Sequence, residues 1–199
     1  MCDAVSIVEV VVVDDHPAVR TGLAGLLNSE TGLACVAAAE TAADGLEAAR
    51  RHWPAVVMVD YHLPDGDGLT LCADLKASAA PPGVILYSAF ATPRLLPAAA
   101  IAGIDAMVDK GLSTDELFAA VRNVAAGNAR LPAAPPQVTE RCLGRLDPAD
   151  IALFGMAVNG TDSAEIAEVM RLDADETRRR LRALLGRLQH RSNRAALGT

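Results

Sequence analysis

Five short apolar runs alternate with amphipathic segments in the first half of the chain. The runs are Val8–Val13, Leu33–Ala37, Val56–Val59, Val84–Tyr87 and Ala106–Val108. Each run has the length and the β-branched character of a buried strand, while the segments between the runs carry apolar residues at helical spacing. This alternation is typical of βα units. It predicts an α/β fold in which helices wind around both faces of a five-stranded parallel sheet.

The pattern changes after Gly127, where the chain enters a proline-rich stretch that ends at Pro136. Such a stretch cannot continue a helix and favours an extended linker. Beyond it the periodicity is helical only, over Asp147–Val158, Ser163–Met170 and Asp175 to about His190. We therefore predict an α/β domain over residues 1–127, a linker over 128–144 and a small all-α domain over 145–199. The last two helices are joined by four residues, as in a helix-turn-helix.

The net charge of −7 counts against a nucleic-acid partner unless the charges are unevenly distributed. They are uneven. From Arg145 onward nine arginines face eight acids, so this part carries +1 and the remainder carries −8. Every charged residue between Arg178 and Arg194 is an arginine. This segment is where we expect a polyanion to bind.

Other features narrow the class of protein further. The apolar runs stop well short of the ~20 residues that a membrane helix needs, so we expect no membrane partner and a cytoplasmic protein. The four cysteines are far apart and form no Cys-x-x-Cys pair, which favours free thiols over zinc ligands or disulfides. They are Cys2, Cys35, Cys72 and Cys142.

Polar side chains follow four of the five predicted strands. Asp14 and Asp15 follow the first strand, Asp60 the third, Ser88 the fourth and Lys110 the fifth. Because the carboxyl ends of parallel strands meet at one edge of the sheet, we expect these side chains to lie together. Three carboxylates at one place repel one another unless a hard cation such as Mg²⁺ is bound.

A metal bound by Asp15 and Asp60 would leave one Asp60 oxygen free to attack a phosphoryl group. Ser88 and Lys110 could then hold the phosphoryl oxygens by hydrogen bond and charge. In the alternative interpretation, acids at strand ends are solvated loop residues or helix caps. Asp15, followed by His16 and Pro17, could also cap the first helix, a role compatible with metal binding.

These residues resemble the receiver domain of NarL/LuxR-type response regulators over about residues 6–126. The likeness lies in Val-Asp-Asp-His-Pro17, Asp60-Tyr-His-Leu-Pro-Asp-Gly-Asp-Gly68, Ser88-Ala89 and Asp109-Lys110. It implies a two-component regulator that is phosphorylated by a sensor histidine kinase and acts as a homodimer. It also implies site roles: the phosphoacceptor Asp60, the switch hydroxyl Ser88, the phosphate-pairing Lys110, and Mg²⁺ held by Asp15, Asp60 and the backbone carbonyl of His62, with Asp14 acting through water.

Two positions depart from the family. Met107 stands three residues before the lysine, where the family usually has tyrosine or phenylalanine. Pro97 falls inside the segment expected to form the fourth helix, so we expect that helix to start late or to be kinked. Both departures concern the surface that transmits the signal and not the phosphoacceptor chemistry.

The last helical segment has a strong amphipathic pattern. Asp173 and Glu176 form a capping-box pattern, and a leucine stripe follows at Leu181, Leu184, Leu185 and Leu188. At about 100° per residue Arg179 projects opposite this stripe, with Arg182 and Arg187 beside it. Such a face could contact phosphates and guanine edges in a major groove, or it could be only a solvated helix face.

The chain from Leu146 through this helix resembles the LuxR-type DNA-binding domain. The resemblance implies that Arg178, Arg179 and Arg182 face double-stranded DNA. It is imperfect at two places. Glu176 and Thr177 stand where the family commonly has Thr-Val, and the final helix after Arg194 is expected to be very short.

Two other functions were weighed against this one. A phosphatase of the haloacid-dehalogenase kind also uses an aspartate nucleophile and Mg²⁺, but it has an Asp-x-Asp motif after the first strand, and here Asp60 is followed by Tyr61-His62. An orphan regulator would bind DNA without phosphorylation; Met107 favours it and the intact acidic residues oppose it. The partner kinase, the target genes and the sign of regulation stay open.

Overall fold

The computed structural model describes residues 6–89 and 91–196, with side chains described as far as Gln189. By its contacts the chain divides into two compact units. Unit 1 takes the chain up to Ala91 together with Asp105–Arg130, and unit 2 takes Thr92–Ile104 together with the chain from Leu131 onward. No described helix combines the length and apolarity needed to cross a lipid bilayer.

Unit 1 is built on a parallel sheet that has five strands within the described residues, in the order β2-β1-β3-β6-β7. The strands are β1 (Val8–Val13), β2 (Leu33–Ala39), β3 (Val56–Val59), β6 (Gly83–Ser88) and β7 (Ala106–Asp109). The predicted α/β fold is confirmed. β1 and β3 have the predicted bounds, while the other three strands are one to two residues longer at one or both ends.

Four helices of unit 1 cover the sheet, namely α1 (Pro17–Ser29), α2 (Ala42–His52), α3 (Gly68–Lys76) and α5 (Thr114–Ala125). Side chains alternate along a strand, so each strand contributes residues to the core on each face of the sheet. Val10, Val12 and Met58 belong to the core that includes Leu27 of α1 and Phe118 of α5. Val11 and Val57 face the opposite side and are fully buried. The Ser113–Glu116 capping box at the start of α5 is present as predicted.

A short antiparallel pair, β4 (His62–Leu63) and β5 (Gly66–Asp67), follows β3 and was not predicted. It forms within the loop that directly follows Asp60. Its turn residues are Pro64 and Asp65.

Unit 2 is helical, with α4 (Leu96–Ile101), α6 (Pro136–Leu143), α7 (Pro148–Val158), α8 (Ser163–Met170) and α9 (Ala174–Ala196). Its buried core draws on several of these helices. It includes Leu153, Phe154, Ile166, Leu184 and Leu185. Helix α4 comes between β6 and β7 in the chain, yet it packs against α7 and α9.

Three sequence expectations are refined by these helices. The segment assigned to the linker contains α6, which begins with Pro136 at a position where proline needs no hydrogen bond. A single turn of 3-10 helix at Pro93–Leu95 precedes α4, and Pro97 lies in the first turn of α4, so this helix does start late. Helix α9 runs without a break to Ala196 in place of a separate final helix.

The described cysteines are free: Cys35 and Cys142 are half-buried and Cys72 is buried. Burial raises the pKa of the Cys72 thiol well above its usual value, so this thiol stays protonated. Cys2 lies outside the described residues. So do the side chains of Arg191 and Arg194.

Candidate functional site

The acidic residues meet where the strand order reverses. β1 and β3 are neighbours at the centre of the sheet, and their connections leave in opposite directions. Asp14 follows β1 and Asp60 follows β3, and the Asp60 N–H donates to the Val13 carbonyl at 2.8 Å. Both aspartates are buried, with 1% of Asp14 and 6% of Asp60 exposed. The sheet therefore fixes the two carboxylates beside each other.

Lys110 joins the two carboxylates. Its Nζ lies 2.7 Å from Asp14 Oδ2 and 3.0 Å from Asp60 Oδ2. Partial burial lowers the pKa of Lys110, but the hydrogen bonds and charges of Asp14 and Asp60 outweigh burial and hold the pKa above its usual value. The lysine is therefore charged at neutral pH. It compensates part of the negative charge at this edge of the sheet.

Asp15 and His16 complete the acidic group. One ligand atom from each of Asp14, Asp15, His16 and Asp60 lies within 4.8 Å of the others. Asp15 Oδ1 is buried and accepts no hydrogen bond from the described residues, although His16 Nδ1 lies 2.5 Å away. A buried carboxylate oxygen in a group of carboxylates suits a hard divalent cation such as Mg²⁺. The donor set thus fits the metal that the resemblance implies.

The expected capping of α1 by Asp15 is wrong. The N-cap residue is His16, and its side chain makes no capping hydrogen bond. The His16 N–H instead donates to Asp14 Oδ1 at 2.8 Å. Asp15 therefore belongs to the acidic group and does not cap the helix. Pro17 occupies the first helical position, as expected.

The remaining predicted residues lie at the same edge of the sheet. Ser88 ends β6 and is 1% exposed, and its carbonyl accepts the Lys110 N–H at 3.2 Å. His62 opens β4, two residues after Asp60. Met107 is half-buried in β7 and pairs with Leu86 of β6. Together with the aspartates and Lys110, Ser88 forms one group that we call the acidic pocket: Asp14, Asp15, Asp60, Ser88 and Lys110.

An aromatic residue that the sequence analysis did not single out lies beside Lys110. The ring centroid of Tyr87 is 5.6 Å from Lys110 Nζ, within the range of a cation–π contact. Burial raises the pKa of the Tyr87 hydroxyl and Lys110 partly offsets this rise. Tyr87 precedes Ser88 and therefore faces the other side of the sheet from Ser88 and Met107.

The loop after Asp60 depends on a glycine. A Cβ atom on Gly68 would lie 2.0 Å from the Asp60 carbonyl oxygen, so no larger residue fits there. The Gly68 N–H also donates to the Tyr61 carbonyl at 2.8 Å. Asp67 then caps α3 through the Thr70 N–H at 2.9 Å. The loop after Asp60 is thus folded back onto its own strand.

Asp65 links this loop to α2. Its two carboxylate oxygens accept the N–H groups of Ala42 and Ala43 at 2.8 and 3.0 Å, at the start of that helix. These hydrogen bonds hold the pKa of Asp65 below its usual value. This link was not predicted from the sequence. Pro64-Asp65-Gly66 is a signal for a turn, but it does not indicate which helix the Asp65 carboxylate contacts.

The second candidate site is formed by α8 and α9. Asp162 caps α8 by accepting the N–H groups of Ala164 and Glu165, both at 2.9 Å. Arg171 ends α8 in the left-handed region, at φ 54°, and so turns the chain sharply toward α9. Asp173 accepts the Glu176 N–H at 2.7 Å, which is half of the predicted capping box. The two helices pack together as a helix-turn-helix requires.

The first three arginines of α9 are at least partly exposed, and each is engaged in an ion pair. Arg178 pairs with Asp175, and Arg179 and Arg180 both pair with Glu176. The side chain of Arg179 is 69% exposed, as its place opposite the leucine stripe predicts. Arg182 is exposed on the same helix.

Arg187 has a structural role that the sequence did not indicate. Its Nη1 lies 2.6 Å from Asp150 Oδ2 and 3.0 Å from Asp147 Oδ2, both at the start of α7. Asp150 is 7% exposed, so Arg187 balances a buried charge within unit 2. Arg187 was expected on the cationic face, but its ion pairs hold α9 against α7.

Residues 10–122 match the protein family described as the response regulator receiver domain. The chain therefore belongs to the response regulator family.

Likenesses to known proteins extend beyond that domain. The DNA-binding transcriptional activator DevR/DosR of Mycobacterium tuberculosis is 28% identical over 204 residues, covering 96% of this chain and 94% of that protein. The transcriptional regulatory protein UhpA of Salmonella typhimurium is 34% identical, covering 71% of this chain and 69% of that protein. The solved RcsB–DNA complex superimposes with a TM-score of 0.60 at 21% identity over 92% of each chain, a likeness that shows the fold alone.

Proposed function

We propose that this chain is a two-component response regulator, a transcription factor that is phosphorylated on Asp60 and binds double-stranded DNA through α9. The single observation that carries the proposal is the bridge from Lys110 to two buried aspartates of the acidic pocket. The charges of the two carboxylates hold the Lys110 ammonium group in place. From there it can also pair with a phosphoryl group on Asp60.

The phosphoryl step uses residues of the pocket. An oxygen of Asp60 forms the new bond to phosphorus, while the bond from phosphorus to the donor's leaving atom breaks and its electron pair departs with that atom. Lys110 then holds one phosphoryl oxygen by charge, and the Ser88 hydroxyl donates a hydrogen bond to another. When bound by Asp15, Asp60 and the His62 carbonyl, with Asp14 acting through water, Mg²⁺ would neutralise the developing charge.

The output lies on the second unit. Helix α9 would enter a major groove with Arg178, Arg179 and Arg182 toward the DNA, while α8 supports it. A sensor histidine kinase would supply the phosphoryl group to this protein in the cytoplasm, and a homodimer would match a two-fold symmetric site. The likeness to DevR/DosR along nearly the whole chain supports this reading.

Phosphorylation can be tested by incubating the protein with acetyl phosphate and Mg²⁺ and measuring its intact mass. We expect one phosphoryl adduct, which Asp60→Asn and Asp15→Asn abolish and which chelation of the metal prevents. Asp115→Asn serves as the matched control, because Asp115 is an exposed acid in the first turn of α5. Labelling that survives both Asp15→Asn and chelation would contradict the proposed site.

A further inference from the structure

One carboxylate on α9 holds two arginines of the same helix. Glu176 Oε2 accepts hydrogen bonds from Arg179 Nε and Nη2 at 3.2 and 2.6 Å, and Oε1 accepts one from Arg180 Nε at 2.7 Å. Both oxygens are therefore occupied. The hydrogen bonds from Arg180 and Arg179 lower the pKa of Glu176, so its side chain is charged at neutral pH.

This arrangement affects any polyanion that approaches the helix. A phosphate oxygen must compete with Glu176 for the same N–H donors, and the carboxylate repels the phosphate at short range. A guanidinium group has five donors, and Glu176 takes two from Arg179, which leaves the others for a planar acceptor such as a guanine edge. DNA of arbitrary sequence offers phosphates everywhere and the right base edge only rarely.

We propose that Glu176 is a specificity-determining residue: by holding Arg179 and Arg180 it weakens the binding of α9 to DNA of arbitrary sequence. The inference rests on the proposed function that α9 binds DNA. It assigns a role to a position at which this chain departs from the LuxR-type pattern, in which threonine is common where Glu176 stands.

The salt dependence of binding follows from the same contacts. Each arginine that neutralises a phosphate releases about one condensed cation from DNA. If the arginine must first leave Glu176, the freed carboxylate recruits a cation and offsets that release. Removing the carboxylate therefore makes binding both tighter and more sensitive to salt.

The test compares Glu176→Gln with a charge-matched control in the full chain. Glu140→Gln removes the same charge from an exposed position on α6, a helix that carries none of the arginines at issue. Binding to a labelled duplex of random sequence is measured by fluorescence anisotropy over a series of salt concentrations, and circular dichroism checks that each variant is folded.

We expect Glu176→Gln to bind about three- to tenfold more tightly than the unchanged protein, as the release of two exposed ion pairs allows. The slope of log affinity against log salt should steepen by about one. Glu140→Gln should stay within about twofold of the unchanged protein. Adding Arg179→Ala to Glu176→Gln should remove most of the gain.

A gain of less than about twofold for Glu176→Gln, with the unchanged protein binding the duplex, would overturn the inference. An equal gain from Glu140→Gln would overturn it as well, because net charge alone would then explain both. If neither the unchanged protein nor any variant binds the duplex at low salt, the proposed DNA-binding function itself is contradicted.

Discussion

The acidic pocket and the arginine helix α9 are both clusters of charge, but they are built in opposite ways. In the pocket, Lys110 pairs with Asp14 across 96 positions of the chain, and its partners Asp14 and Asp60 are both buried. On α9, each of the pairs that Arg178, Arg179 and Arg180 make spans three or four positions, and the three arginine side chains are at least 40% exposed. One cluster is made by the topology of the sheet and the other by the local sequence.

This difference separates two kinds of electrostatic interaction. Buried charges lose their hydration and depend on one another, so the pocket holds fixed positions that suit a chemical step. Exposed pairs on a helix contribute about 0.2–1 kcal/mol each and are weakened by salt, so they open readily when a stronger partner arrives. The first arrangement suits phosphoryl transfer and the second suits reversible binding.

The largest effect is expected on DNA binding. Arg179→Ala should cost about 1–3 kcal/mol of binding free energy on a duplex selected for tight binding, because a bidentate contact to a base edge is lost. On random DNA the cost should be smaller. Arg141→Ala, which removes an arginine from the exposed face of α6, is the control. An equal loss in both variants, measured by anisotropy, would show that Arg179 acts only through net charge.

The pocket should respond to loss of its cation. Lys110→Met leaves buried carboxylates uncompensated and should lower the free energy of unfolding by about 2 kcal/mol. Mg²⁺ should restore part of this loss, because the metal supplies the missing positive charge. Urea unfolding with and without Mg²⁺ measures both effects.

The control for this variant is Lys76→Met. Lys76 Nζ lies 2.6 Å from Asp105 Oδ2, away from the acidic pocket and partly exposed. Its loss should cost less and should not be restored by Mg²⁺. Equal rescue of both variants by Mg²⁺ would contradict a metal site in the acidic pocket.

Met107 tests how strongly the pocket is coupled to the output. A methionine fills a gap with less preference for one position than an aromatic ring, so the inactive and active states should lie close in free energy. Phosphorylation should then improve DNA binding by less than about tenfold. In Met107→Tyr, the ratio of phosphorylated to unphosphorylated affinity should be about threefold larger than in the unchanged protein. A gain of ~100-fold or more in the unchanged protein would contradict this.

The smallest effect concerns the link from Asp65 to α2. Asp65→Asn should cost about 0.5 kcal/mol of stability at pH 7, since the carboxylate is exposed and its contacts resemble a helix cap. Because folding lowers the pKa of Asp65, the stabilisation is present above the unfolded value of about 3.9 and is lost as the pH falls through the folded value. A difference in unfolding free energy that persists unchanged in acid would contradict the assigned contact.

The sheet was the most predictable part of the molecule. Valine-rich runs such as Val8–Val13 and Val56–Val59 indicate buried strands from local sequence alone. Parallel topology then brings together the polar residues that follow these strands. The bounds of β6 were harder because the strand continues into the polar Ser88. The two-residue strands β4 and β5 are too short to leave a periodic pattern.

Contacts between distant residues could not be predicted. Nothing near Arg187 in the sequence indicates Asp150, and nothing within Thr92–Ile104 indicates that this segment joins unit 2. The pairing of Glu176 with Arg179 and Arg180 is different, because opposite charges three and four positions apart on a helix predict such pairs. The proline-rich stretch was expected to be extended, and it is without helix only up to Pro135; α6 begins at Pro136, since proline also begins helices.

The most direct test of the account joins the two clusters in one measurement. Binding of the unchanged protein and of Asp60→Asn to one labelled duplex is compared before and after incubation with acetyl phosphate and Mg²⁺. The account predicts that binding by the unchanged protein tightens once the adduct has formed, and that Asp60→Asn does not respond. A full adduct on Asp60 with no change in binding, or an equal response from Asp60→Asn, would contradict control of the arginine helix by phosphorylation.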